Sequence, residues 1–320
     1  MVEKYPSDRF GEIYWLLMSF LSSRLSKETH MSKMDRSWCL VLVIWGEKYS
    51  DKFVDVLVKS VKQYSKGCTH VVLITDQIRN DLSDNIVQKL IPDFFNQPLF
   101  FKGGYVVKLS LFHKTVLPPN MPCVYIDLDT IVVGDVGRIA AFVSSHDDYF
   151  MLPPGNLVGF GSIRRWLYKQ TKGKRFATGN SSIVAFHSSA APNICEAFEQ
   201  LYTEGLTHDR KMRIDDVFIS WFAQNTLQKI PASLAVMFRR EFLSRSRFLL
   251  EVKRLSPFTA MRRKNLVAVT FNGAQHKPEE FLAFKDGDKI LDEKNRFGFW
   301  SEKYLGVLKA QTLQVAKFIV

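Results

Sequence analysis

A disulfide framework, a membrane-spanning run, an internal repeat and an acidic surplus are all missing from this 320-residue chain. Its four cysteines, Cys39, Cys68, Cys123 and Cys195, are scattered without a C-x-x-C pair, which excludes a disulfide scaffold or a zinc knuckle and reads as reduced thiols in a cytosolic protein. No apolar run approaches the ~20 residues that a spanning helix needs. Ile13 to Leu21 is apolar but short, with neither a basic stretch before it nor a small-residue cleavage site after it, so it is not expected to be a secretory signal. Acidic residues number 32 against 44 Lys and Arg, a net charge of +12 with a pI of about 9.5. That imbalance excludes an acidic solvating chain and favours an anionic partner: a nucleotide, an acidic glycan, nucleic acid or a membrane surface.

What is present is ordinary globular material, 46% hydrophobic and 24% charged, and long enough to bury a sizeable core. Residues 1–36 read as a loose amphipathic tail, in which Met31 and Met34 leave open a later start. Residues 37–280 read as one α/β domain and 281–320 as a helical C-terminal extension. The one shift in composition comes at Pro231. From there to Lys264 lie Arg239, Arg240, Arg245, Arg247, Lys253, Arg254, Arg262, Arg263 and Lys264 against only Glu241 and Glu251, interleaved with Phe238, Phe242, Phe248, Leu249 and Leu250. Such an insert is either a solvated basic face or a surface that meets anionic lipid or a lipid-linked acceptor at the inner face of a cell membrane.

Between these ends, elements alternate. The apolar run Cys39 to Trp45 predicts a buried strand, the turn Gly46 to Ser50 follows, and Phe53, Val54, Leu57, Val58 and Val61 have helical spacing. Val71 to Thr75 predicts a second strand closed by Asp76. After Gly103-Gly104-Tyr105 a helix is expected over Val107 to Phe112, broken at Pro118-Pro119. Asn180 to Phe186 reads as a polar turn feeding a strand, Ile194 to Tyr202 and Asp216 to Phe222 as helices, and Leu266 to Phe271 as a late strand. Strand, helix, strand, helix, strand is the grammar of an α/β sheet, whose ligands bind beyond the carboxyl ends of its strands.

The third strand carries the most informative residues: Val124-Tyr125-Ile126-Asp127-Leu128-Asp129-Thr130-Ile131-Val132-Val133. On an extended strand, Asp127 and Asp129 point the same way while Leu128 points into the protein. Two converging carboxylates in apolar surroundings cost several kcal/mol or more without a counter-charge, and the simplest one is a hard divalent ion, Mg2+ or Mn2+, shared with the phosphates of a ligand.

This arrangement resembles the GT-A nucleotide-sugar glycosyltransferases, in particular family 8, which includes glycogenin and bacterial lipopolysaccharide galactosyltransferases. A bacterial branch carries a Trp-Gly-x-x-Tyr turn after its first strand, here Trp45-Gly46-Glu47-Lys48-Tyr49. The resemblance implies a Rossmann-like mixed sheet flanked by helices and a donor-binding site that includes Trp45, Gly46 and Tyr49. Asp127 and Asp129 would be the Asp-x-Asp pair holding Mn2+ (or Mg2+) against the donor diphosphate. It further implies that Lys108 contacts the nucleotide, that Asp76 sits at a base or ribose position, that Asn180, Ser181 and Ser182 cradle the donor sugar, and that Lys277 meets the diphosphate. Ser182 replaces a family glycine. Asp215 and Asp216 match the segment with an acidic or amide residue near the anomeric carbon, and retention of configuration is implied. The family's third metal ligand, a His, has no direct match; Asn272, a water or a displaced His276 would complete the set.

The expected activity is therefore metal-dependent hexosyl transfer from a nucleotide-diphosphate donor, UDP-sugar favoured, to a glycan or glycolipid in surface polysaccharide or lipopolysaccharide assembly. A haloacid-dehalogenase-like phosphatase is the competing enzyme, because Asp127-Leu128-Asp129-Thr130 also fits its nucleophile turn. That family starts its sheet with the nucleophile strand, whereas two strand-helix units come first here. A non-catalytic basic module is the other alternative, and the 231–264 region lacks the aromatic or recognition-helix spacing of nucleic-acid readout.

Overall fold

Seven strands form one mixed sheet in the order β3-β2-β1-β4-β7-β6-β8. The computed structural model describes residues 37–103, 105–153, 179–207, 210–271, 283–291 and 297–301. Asn272, His276, Lys277 and the 1–36 tail lie outside the described residues. β1 (Trp38–Ile44), β2 (Cys68–Thr75), β3 (Val87–Leu90) and β4 (Pro122–Ile126) run parallel, while β7 (Asn180–His187) is antiparallel to both β4 and β6 (Tyr149–Leu152), and β8 (Leu227–Lys229) closes the far edge.

Period-two alternation sorts the strands into two cores. Cys39, Val41 and Val43 of β1, Cys123 and Tyr125 of β4, and Val184 and Phe186 of β7 face one layer. Leu40, Leu42, Ile44, Val124, Ile126, Ile183 and Ala185 face the other. On the first face pack α2 (Pro98–Gly103), a 3-10 segment (Val106–Phe112), α4 (Pro192–Thr203) and α5 (Asp215–Phe222); on the second pack α1 (Asp51–Tyr64) and α3 (Gly137–Ala140). The α1 sequence explains its own placement: Phe53, Val54, Leu57, Val58 and Val61 form one buried stripe, with Asp51 in the first turn and Lys62 in the last matching the helix dipole. Each such side chain contributes about 1.5–3 kcal/mol by burial, and Leu57→Ala would cost about 2–5 kcal/mol. All four cysteines are free thiols, Cys39 and Cys123 sitting opposite one another on β1 and β4.

One sequence expectation is corrected at the centre of the molecule. Asp127 and Asp129 do not lie on a continuous strand: β4 ends at Ile126, a turn closed by Thr130 N–H to Asp127 carbonyl (3.1 Å) follows, and β5 (Thr130–Val132) begins a second sheet. The chain must leave one sheet for another here. β5 pairs with β10 (Ala268–Thr270), which pairs with β9 (Ala235–Met237), so the apolar residues after the acid pair are strand as expected, but in different company.

From β9 the basic insert continues as α6 (Phe238–Phe242), α7 (Arg247–Leu255) and α8 (Pro257–Lys264), packed with the small sheet around Phe238, Phe242, Leu250, Val269, Phe271 and Trp300. Within the expected helical extension 281–320, the described residues include a two-stranded antiparallel ribbon, β11 (Lys289–Leu291) with β12 (Phe297–Phe299). Strand wins there because Phe297 and Phe299 flank Gly298, whose missing Cβ lets the backbone approach Leu243, where one would lie 2.9 Å away. Of the described residues in that stretch, Phe284, Ile290, Phe299 and Trp300 pack into the core around the small sheet.

Candidate active site

Parallel pairing aligns the carboxyl ends of β1, β2 and β4 along one edge, and the antiparallel β7 brings its amino end to the same edge, Ile126 opposite Ile183. The turn after β1, Asp76 after β2, Asp127 to Asp129 after β4 and Asn180 to Ser182 on β7 therefore converge. Asp127 N–H donates to the Ser182 carbonyl at 2.8 Å, tying the acid turn to β7.

Lys108, from the 3-10 segment, is the hub. Its ammonium lies 2.8 Å from Asp127 Oδ1 and 3.3 Å from Asp215 Oδ2, and donates to Ser181 Oγ at 3.3 Å. The Tyr105 and Tyr125 rings lie 5.8 Å and 5.4 Å from it. Burial alone would lower the Lys108 pKa, but the negative charge of Asp127, helped by that of Asp215, holds it well above the ordinary lysine range. The expected nucleotide contact of Lys108 thus meets a different finding: its charge is engaged by carboxylates of its own chain.

Four carboxylates stand near Lys108, and Lys48 adds a second positive charge near Asp129. Asp127 Oδ1 also accepts from the Tyr125 hydroxyl. Asp129 is buried, its Oδ2 lies 3.5 Å from the Tyr49 hydroxyl, and its Oδ1 has no hydrogen-bond partner among the described residues. Burial first, then the negative charge of Asp127, pushes Asp129 up to about 7, and burial with the neighbouring Asp129 drives the Tyr49 phenol above its usual range. Asp215 and Asp216 open α5, yet they serve β7 more than their own helix: Asp215 Oδ2 accepts from Ser181 Oγ, Asp216 Oδ1 accepts from Ser181 N–H, and Asp216 Oδ2 accepts from Asn180 Nδ2 at 3.4 Å. Burial and the charge of Asp215 push Asp216 up to about 7 as well.

Ser182 is buried, and its N–H donates to Asn180 Oδ1 at 3.2 Å. The close approach that a glycine allows occurs at Gly179 instead, where a Cβ would come within 2.7 Å of Met151 Cβ. Asp76 is committed to structure: Oδ2 accepts from Gly46 N–H at 2.8 Å and Oδ1 pairs with Arg79 at 3.2 Å. That clamp holds Gly46 in its left-handed conformation, φ 60°, and keeps the Trp45 to Tyr49 turn beside the acid pair. Trp45 is half-buried against the first core layer.

The site thus gathers Trp45, Gly46, Tyr49, Asp76, Lys108, Asp127, Asp129, Asn180, Ser181, Ser182, Asp215 and Asp216 along one edge, whereas Asn272, His276 and Lys277 lie outside the described residues. Sequence reasoning missed Tyr125 and Arg79. Tyr125 was available as a signal, two residues before Asp127 on a strand and hence on the same face; Arg79, whose guanidinium also reaches Asp51 at 2.7 Å, had none.

The donor set fits a divalent cation: a buried carboxylate oxygen lacking a partner among the described residues, two acids on one turn, and more carboxylates than the buried Lys108 pairs with. Among the described residues no third His, Cys, Asp or Glu completes a ligand cluster with them.

No family model matches the chain, and no curated protein sequence matches it. Solved structures match by shape. The bifunctional glycosyltransferase WbbM is similar over 89% of this chain and 52% of its own, at 12% identity and a TM-score of 0.52. The glycosyltransferase GlyE of Streptococcus pneumoniae TIGR4 is similar over 87% of this chain and 63% of its own, at 9% identity and a TM-score of 0.51. This chain therefore spans between half and two thirds of those two proteins. The galactosyltransferase LgtC, solved with donor and acceptor sugar analogs, overlaps 88% of this chain and 96% of its own at 12% identity and a TM-score of 0.48. At such identities the likeness establishes the fold, the mixed α/β architecture of GT-A glycosyltransferases.

Proposed function

We propose that the chain is a metal-dependent glycosyltransferase that moves a hexosyl group from a nucleotide-diphosphate donor, UDP-sugar favoured, to a glycan or glycolipid in surface polysaccharide or lipopolysaccharide assembly. The observation that carries this reading is the orphaned, buried Oδ1 of Asp129 on a turn shared with Asp127, set at the ligand-binding edge of a GT-A fold. Asp127 and Asp129 would hold Mn2+ or Mg2+, with Asn272 or His276 as further candidate ligands. Bound there, the ion supplies charge relief for a departing nucleoside diphosphate.

The chain's own residues account for the rest. Tyr49, held beside Asp129, and Trp45 on the same turn border the donor. Lys108 keeps Asp127 and Asp215 in place, so the carboxylates need no reorganisation when charge develops between them. Ser181 fixes Asp215 through its hydroxyl and Asp216 through its N–H, which points these two acids at the donor-sugar side, where one of them supports the anomeric carbon with retention of configuration. Lys277 adds positive charge for the diphosphate. A lipid-linked acceptor would bring the enzyme to the cytoplasmic face of a membrane, with the 231–264 region as the contact.

Against the phosphatase alternative, β4 follows two strand-helix units, whereas that family starts its sheet with the nucleophile strand. A thermal-shift panel of UDP-, GDP-, ADP- and dTDP-sugars with Mn2+ tests the proposal: at least one donor stabilises the protein, and Asp129→Asn loses the shift given by Mn2+ itself. No stabilisation by any donor in the presence of Mn2+ sinks it.

A further inference from the structure

The two helices α7 and α8 are built inside out. In α7 the large apolar side chains Phe248, Val252 and Leu255, spaced i, i+4, i+7, face solvent, with Leu249 beside them, and only Leu250 turns inward. In α8, Phe258 and Met261, spaced i, i+3, are exposed likewise. Phe248, Leu255 and Phe258 are 74%, 70% and 76% exposed. Ser256 joins the helices, ending α7 and capping α8 by accepting from Thr259 N–H, so the six side chains form one ridge around a tight corner.

The cations do the inward work. Glu241 of α6 is buried and clamped by Arg262 at 2.7 Å and Arg263 at 2.9 Å. The Arg263 guanidinium also stacks 4.4 Å from the Phe242 ring, and Lys253 donates to the Arg240 carbonyl at 3.2 Å. Arg247 donates to the Gly287 carbonyl at 3.1 Å and sits over the Phe299 ring. These contacts pin the polar side of both helices to the domain and hold the apolar side out. Seven basic residues against one acidic residue lie within 244–264, with Arg245, Arg254 and Lys264 exposed around the ridge. Apolar side chains at a crest flanked by positive charge match the layered chemistry of an anionic bilayer, apolar beneath and negative at the surface. Among the described residues no helix is long and apolar enough to cross a membrane, so the contact is a lateral one.

We propose that the α7–α8 ridge is a docking element that seats in the interface of an anionic lipid bilayer, with Phe248, Leu255 and Phe258 inserted below the head groups and Arg245 and Lys264 at their level. The ridge also lies in continuity with the acid turn. Thr130 of β5, Thr270 of β10 and Met237 of β9 form one row across the small sheet, and α6 starts directly after Met237. A seated ridge therefore orients the ligand-binding edge with respect to the bilayer, which deepens the transferase reading without being needed for donor binding.

The test is sedimentation of the full chain with vesicles of phosphatidylcholine alone and with phosphatidylglycerol added, at low and high salt. The wild-type protein is expected to pellet only with the phosphatidylglycerol vesicles, and less at high salt. The triple variant Phe248→Ser, Leu255→Ser, Phe258→Ser is expected to partition at least about tenfold less, as loss of three inserted apolar groups requires. The pair Arg245→Glu, Lys264→Glu should lose the preference for phosphatidylglycerol. Equal partitioning of both variants and the wild type, or no binding of the wild type to either vesicle, overturns the proposal. So does a wild-type dimer in sedimentation velocity that the triple variant turns into a monomer, which would assign the ridge to a second copy. Nucleotide-sugar thermal shifts measured on the same samples are expected to be unchanged; their absence in the wild type would defeat the transferase reading and leave the ridge standing.

Discussion

The ligand edge and the α6–α8 region are organised around ion clusters of opposite bias. At the edge, one buried lysine, Lys108, stands among Asp127, Asp129, Asp215 and Asp216; beyond β9, one buried glutamate, Glu241, stands among Arg262 and Arg263. In each case the central charge is saturated and its partners are in surplus. The surplus at the edge is negative, and burial together with the neighbouring carboxylate charge raises Asp129 and Asp216 toward neutral pH. Near Glu241 the surplus is positive and partly solvated, where water screens it at little cost. The difference teaches what each region is prepared to receive: a small cation among converging acids on one side, an extended anionic surface on the other.

Removing the central charges separates the two clusters most sharply. Lys108→Met leaves the buried Asp215 and the half-buried Asp127 without their cation, and chemical denaturation should register a loss of about 3–5 kcal/mol; a loss below about 1 kcal/mol would mean that the edge does not depend on its lysine. Glu241→Ala strands Arg262 and Arg263, but the partly exposed Arg262 can reach water, so the expected loss is smaller, about 2–4 kcal/mol. If Glu241→Ala cost more than Lys108→Met, the contrast between the two clusters would be wrong.

A third variant isolates the price of surplus negative charge. Asp216 titrates at about 7 in the folded protein against 3.8 for a free aspartate. The folded state thus binds the proton more tightly, and the stability gained from it is complete below about pH 4 and lost as pH rises through about 7. Asp216→Asn has no such proton to lose. Its unfolding free energy relative to wild type, measured by chemical denaturation without divalent ions, should climb across that window to an advantage of about 1–3 kcal/mol; a flat difference would show that Asp216 is not under charge stress. Smallest of all, Ser181→Ala removes the hydroxyl between Lys108 and Asp215 and should cost about 1 kcal/mol while raising the donor KM, read from denaturation and initial rates.

Much of this was legible beforehand because it rests on local pattern. The strands β1, β2 and β7 and the helices α1, α4 and α5 fall where period and turn residues predict them, and Asp127 and Asp129 stand out as acids inside an apolar run. The helix expected over Val107 to Phe112 forms as a 3-10 segment, every residue of it buried. Other features escaped for want of a local signal. Nothing near Asp127 announces that β4 and β5 belong to different sheets, since the apolar residues on both sides of the pair suit either company. Arg79 reaches Asp51 across 28 positions, and Lys108 reaches Ser181 across 73, distances over which no periodicity carries information. The ridge on α7 and α8 reads in sequence as a basic segment with scattered aromatics; that Arg262 and Arg263 turn inward depends on Glu241 lying behind them.

The sequence by itself therefore determined the alternation of strands and helices, the two-sided burial of the sheet and the acidity of one turn, because side-chain period and polarity act on neighbouring residues. Only the tertiary structure decided the partners: which sheet receives β5, which carboxylates share Lys108, and which face of α7 is left to solvent. Charge pairing and burial depend on separation in space, and the fold alone converts positions far apart along the chain into contacts of about 3 Å.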